Sequence, residues 1–104
     1  MKKNYTEQIS ADLEIRLREI GLDLKGCPTV GQTLDWLFNK YEVGVSIKPV
    51  FLGTTDDGFV WDYEIYSPLH HEKEDCFEEF DRCAWFAITA AIDMIEQDKK
   101  DRES

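Results

Sequence analysis

The stretch from about Asp75 to Gln97 constrains this chain more than any other. Its middle, Cys83-Ala84-Trp85-Phe86-Ala87-Ile88-Thr89-Ala90-Ala91-Ile92, reads as a helix that is apolar nearly all the way round. A surface helix carries one apolar stripe and one polar face, so a helix without a polar face has to be covered on both sides. Its main stripe is Phe77, Phe80, Ala84, Ala87, Ile88, Ala91 and Ile95; a second group is Cys83, Trp85, Phe86, Ala90, Ile92 and Met94. In a chain of 104 residues the second cover is expected either from the remaining helices or from another copy of the chain. Trp85, Phe86, Ile92 and Met94 are therefore the candidate self-association residues, covered either by the first two helices or by a second copy in a homodimer.

The rest of the chain supplies partners for that helix. Tyr5, Ile9, Leu13, Leu17 and Ile20 fall on one face of a helix expected over residues 5–20. Gly21 stops it in a left-handed conformation, and Leu22 is placed to close a Schellman motif on Leu17. Leu22 to Pro28 forms a connection in which Leu22, Leu24 and Cys27 can dip into the core, with room for one short strand. Thr29 and Gln32 make a capping box for a second helix, with Pro28 barring any earlier start. That helix has the stripe Val30, Leu34, Leu37, Phe38 and Tyr41; Trp36 lies off it, either packed under the preceding connection or exposed.

From Val43 the apolar period changes to two, through Val45 and Ile47 and on to Leu52, with Pro49 marking an edge or a bulge. The turn formers Gly53 to Gly58 lead into a second strand, Phe59 to Tyr66. Phe59, Trp61, Tyr63 and Ile65 share one face of it; Val60, Asp62, Glu64 and Tyr66 share the other. Leu69 to Glu74 reads as a polar linker, and Asp75 with Glu78 as the capping box of the last helix. The expected fold is one α+β domain over residues 1–104, ordered α-α-β-β-α, with an antiparallel hairpin packed against helices, a long C-terminal helix and a polar tail fraying from about residue 98.

Charge narrows the functions open to such a fold. Twelve Lys and Arg stand against 22 Asp and Glu, a net of −10, which disfavours phosphate contacts with nucleic acid and docking on an anionic membrane. The N-terminus has no apolar stretch behind its lysines, so no leader is expected. Cys27, Cys76 and Cys83 form no CxxC and suit reduced thiols, consistent with a cytoplasmic protein.

His70, His71, Cys76 and Cys83 are the nearest approach to a metal set. Cys76 and Cys83 stand two turns apart on the expected helix, too far to share one zinc, and the expectation is buried thiols and loop histidines. Cys76 sits among acids that raise a thiol pKa, which argues against a nucleophile. Asp62 and Glu64 read as the solvated side of the hairpin. The aromatics Phe59, Trp61, Tyr63 and Tyr66 lack the positive groove that base stacking requires. The second helix has too little positive charge for a DNA-reading role. No catalytic, cofactor or metal residues are assigned.

The pieces Ile20-Gly21, Pro28-Thr29, Asp35-Trp36-Leu37, Lys40-Tyr41, Val45-Ser46-Ile47, Trp61-Asp62-Tyr63 and Ala84 to Ile95 together form a pattern. It resembles that of small proteins carried by prophages and mobile elements of gut bacteria, a group with no established activity. The resemblance covers most of the chain and rests on structural motifs, so it implies a setting and no functional residues. The expected function is a non-enzymatic accessory or protein-interaction module of a phage or mobile element. The alternative is an acidic inhibitor of a basic protein, either immunity-type or a nucleic-acid mimic. A small enzyme or metal protein stands third.

Overall fold

The main stripe of the last helix is covered within the chain and the second apolar group is covered in part, with Phe86 left exposed. The computed structural model describes residues 5–51, 59–68, 71–77 and 79–103. The elements are α1 (Ala11–Glu19), α2 (Val30–Tyr41), β1 (Gly44–Phe51), β2 (Phe59–Tyr66), β3 (His71–Phe77) and α3 (Phe80–Glu103). The three strands form an antiparallel sheet in the order β1-β2-β3. α3 packs on the sheet and on both other helices, touching all five other elements, and α2 also packs directly on β1. Cys83, Ala84, Ala87, Ile88, Ala91 and Ile92 are sealed completely. Small residues at 84, 87 and 91 let neighbouring backbones approach closely, while Ile88 and Ile92 fill the space between them.

The fold is thus α+β, with the expected hairpin and a long C-terminal helix, and β3 extends the sheet. β3 takes in the part of the expected polar linker from His71 and the Asp75 of the expected capping box, whose Glu78 lies outside the described residues, so α3 begins at Phe80 and not near Asp75. The segment His-Glu-Lys-Glu-Asp-Cys-Phe has little intrinsic strand character; pairing with β2 overrides its composition, as context commonly does in sheets. The β2–β3 register slips between Trp61 and Tyr63, the mark of a bulge. β1 pairs with β2 without a slip from Gly44 opposite Tyr66 to Phe51 opposite Phe59. The turn expected over Gly53 to Gly58 lies outside the described residues. At its other end α3 continues to Glu103, through the part read as a fraying tail.

α1 is shorter than its periodicity suggests. Ser10 caps it by accepting from the Leu13 amide at 3.3 Å, and Tyr5 to Ile9 run outside the helix. This leading segment satisfies the start of α2 instead. The Val30 and Gly31 amides donate to the carbonyls of Glu7 and Tyr5 at 2.8 Å, and the Ile9 amide donates to Pro28. Thr29 serves the next two amides: its Oγ1 accepts from Gln32, and its carbonyl accepts from Thr33. The capping box is complete, because the Gln32 side chain accepts in turn from the Thr29 amide at 2.9 Å. All four amides that a helix start leaves without intrahelical partners are therefore accounted for. A Cβ at Gly31 would stand 3.2 Å from the Tyr5 carbonyl oxygen, a tight approach that would need the leading segment to shift by a few tenths of an ångström.

The stop of α1 is the Schellman closure that Gly21 and Leu22 predict. The Leu22 amide reaches the Leu17 carbonyl at 3.0 Å, the Gly21 amide reaches Arg18, and Gly21 has φ +107°. Trp36 packs under the connection that follows. It is 9% exposed, donates its indole N–H to Asp23 at 3.2 Å and meets Tyr41 edge to face at 5.6 Å. Phe38, expected in the apolar stripe, is 60% exposed. The two positions lie two residues apart on α2, and the helix is turned so that the larger ring with the bondable N–H goes inside.

Candidate functional site

Polar chemistry converges on the open face of the sheet. In register, Glu64 pairs with Ser46 on β1 and Lys73 on β3, and Tyr66 pairs with His71, so these side chains point away from α3. The Glu64 carboxylate accepts from Lys48 Nζ at 2.9 Å and from the Tyr66 hydroxyl, and lies 3.1 Å from His71 Nε2. His71 stacks flat on Tyr66, with centroids 4.9 Å apart. The Tyr66 hydroxyl, Lys48 and His71 together hold the Glu64 carboxyl down at about 2, while the same contacts push the Tyr66 and Lys48 groups up. A carboxylate held this low has little basicity to offer at neutral pH, and its lone pairs are already engaged. The cluster suits a cross-strand clasp better than proton transfer.

Asp62, expected on the solvated side with Glu64, is only 4% exposed. Its Oδ1 has no hydrogen-bond partner among the described residues. It stands near enough to Cys83 for its charge to act on that thiol, which burial first and Asp62 second push up to about 12. The Cys27 thiol is also raised, by burial and by its bond to Glu14. Neither cysteine has the lowered pKa of a nucleophile. Of the residues weighed as a metal set, His71 sits on β3 against Glu64 and Cys83 is sealed in α3; His70 and the Cys76 side chain lie outside the description. Among the described residues no group of three His, Cys, Asp or Glu stands close enough to hold a metal ion.

The four self-association candidates part company. Ile92 is sealed inside the chain, and Trp85 and Met94 are half-buried against the core. Phe86 alone of the four faces water, at 53% exposure, with Phe77 beside it at 5.2 Å. Met94 lines a groove of about 590 Å³ between the end of α2, the end of β2 and the C-terminal half of α3. The buried side chains of Val43 and Ile95 also line it, and Lys40, Lys99 and Arg102 bring positive charge to it. Phe38 and Tyr66, both exposed, are chain neighbours of groove-lining Asn39 and Ser67. Both come to Gly44: a Cβ there would meet the Phe38 ring at 3.8 Å and the Tyr66 carbonyl at 3.9 Å. Sequence periodicity had no means of finding this surface, because it assigned Phe38 to the core.

No helix among the described residues is long and apolar enough to cross a membrane. Comparison of the chain with known proteins yields no matching family model, no matching curated protein and no matching solved structure.

Proposed function

We propose that this chain is a non-enzymatic protein-interaction module, in the accessory role for a phage or other mobile element that its sequence resemblance implies. The observation that carries this reading is the groove, with the exposed Phe38 and Tyr66 each one residue along the chain from a residue that lines it. Single exposed apolar residues are ordinary, but exposed aromatics at the margin of a concave surface mark contact sites. The polar cluster at Glu64 supports the same reading, since its acid, hydroxyl and amine are spent on one another.

Site-specific photocrosslinking tests the proposal. A photoreactive phenylalanine placed at Phe38 in the producing cell is expected to give one discrete adduct, and the same probe at Phe86 reports on the second exposed ring. An adduct of twice the chain mass identifies the partner as a second copy. Absence of any discrete adduct at both positions refutes the interaction reading.

A further inference from the structure

The groove departs from the rest of the molecule in charge. Its lining carries three cations, Lys40, Lys99 and Arg102, against two acids, Glu42 and Asp98, a local net of +1 in a chain whose total is −10. Among the described residues Lys40 and Lys99 make no ion pair, and Arg102 is held only by the exposed pair with Asp98 at 3.2 Å. Such surface pairs contribute little and exchange readily for another carboxylate. Each cation lies near a helix C-terminus, where the dipole favours it. That explains each position along its own helix, but not why two helix ends bring their cations to one trough.

We propose that this groove docks an acidic segment of a partner protein. One apolar side chain of the segment sits on the floor of Val43, Met94 and Ile95, and its carboxylates meet Lys40, Lys99 and Arg102. The inference rests on the interaction reading above and narrows it to one surface and one chemical class. The volume falls within the range of roughly 300–1,000 Å³ usual for binding clefts, and the trough is open on one side, which suits a length of chain more than an enclosed small molecule. Met94 can adapt its unbranched side chain to the incoming group, and Met, Arg and aromatic residues are the types enriched where proteins meet. A basic segment would find acids over the remainder of this chain and cations in the groove. An acidic one is repelled by the remainder and accepted here, and that repulsion makes the docking position specific.

The test is an NMR titration of the ¹⁵N-labelled full chain with two blocked hexapeptides, Glu-Glu-Leu-Phe-Glu-Glu and Lys-Lys-Leu-Phe-Lys-Lys. The acidic peptide is expected to move the amides of Val43, Met94, Ile95 and Lys99 saturably. The double variant Lys40→Glu/Lys99→Glu is expected to weaken that binding about tenfold or more, the equivalent of about 1.4 kcal/mol, with its amide spectrum otherwise preserved. Three results overturn the proposal: no saturable shift with the acidic peptide, shifts that map instead around Phe86, or stronger binding of the basic peptide in the groove. Photocrosslinking at Phe38 is indifferent to the charge of the partner. A discrete adduct there with a failed acidic titration removes the acidic segment alone, whereas a failed titration with no adduct at either Phe38 or Phe86 removes the interaction reading as well.

Discussion

Glu42 is the place where one substitution should make this protein more stable. It ends α2 with φ +58° and ψ +32°, the only non-glycine residue at positive φ among those described. Its amide closes the helix on the Phe38 carbonyl at 2.9 Å, an arrangement in which the residue just past a helix usually is glycine. A side chain in this conformation costs about 1–2 kcal/mol. Glycine removes that cost but adds flexibility to the unfolded chain, returning about 0.5–1 kcal/mol. Glu42→Gly should therefore gain about 0.5–1 kcal/mol, or a melting temperature higher by about 2–8 °C in a domain of this size. Glu42 also places a negative charge at the negative end of the α2 dipole, so its removal helps by a separate route. Glu42→Ala isolates that part, because alanine loses the charge and keeps the Cβ. Urea unfolding of the three proteins at equal pH and salt measures both contributions. If the glycine variant is no more stable than the alanine variant, the backbone argument is wrong, whatever the wild type does.

Other outcomes follow from the titrating groups. Glu7 has its pKa raised, chiefly by its carboxyl bond with Asp81, so relative to the unfolded chain it costs stability once pH exceeds its ordinary value of 4.5. Glu7→Gln should raise the melting temperature at pH 7, and the gain should fade as pH falls below 4.5; a variant destabilised at pH 7 would contradict this. Glu64 behaves oppositely. Its carboxyl is lowered from 4.5 to about 2, so its contribution is full above 4.5 and is lost as pH falls toward 2. A ¹³C titration of the Glu64 carboxyl should find a midpoint well below those of exposed glutamates, and the Glu64→Gln variant should lose less stability over that interval. With both thiol pKa values raised, Cys27 and Cys83 should stay unalkylated by iodoacetamide at pH 7.5 in the folded protein and react only after denaturation, as peptide mass mapping will show.

The parts of the fold legible in the sequence are those fixed by neighbouring residues. Thr29 with Gln32 and Gly21 with Leu22 each close a helix end through groups at most five residues apart, so the residue types alone locate them. The core face of β2, with Trp61, Tyr63 and Ile65 buried, was legible for a similar reason, because alternation is a local rule. What was not legible depends on distant partners. β3 is a strand because β2 lies beside it, and nothing within His71 to Phe77 announces that neighbour. The choice of Trp36 over Phe38 depends on Asp23 and Tyr41 being there to receive the indole. Asp62 follows the alternation of its strand yet is buried, next to the slip in register that no pattern in β2 itself encodes. The groove belongs to the same class. It is built from three elements far apart in sequence, and each of its cations read singly is an ordinary helix-end residue.

The contact of α3 with every other element bears on how the chain is made. Synthesis runs from the N-terminal end onward, so α1, α2 and the sheet are all made before the one element that touches every one of them exists. Until α3 leaves the ribosome, Leu17, Leu37, Ile47 and Ile65 have no common surface to bury against, and the nascent chain carries its apolar residues open to water. Once α3 arrives, each of the earlier elements gains the contact it lacked, so folding should complete as a single event and not element by element. Versions stopped short of Ile88 should be degraded in the cell instead of accumulating as a folded remnant.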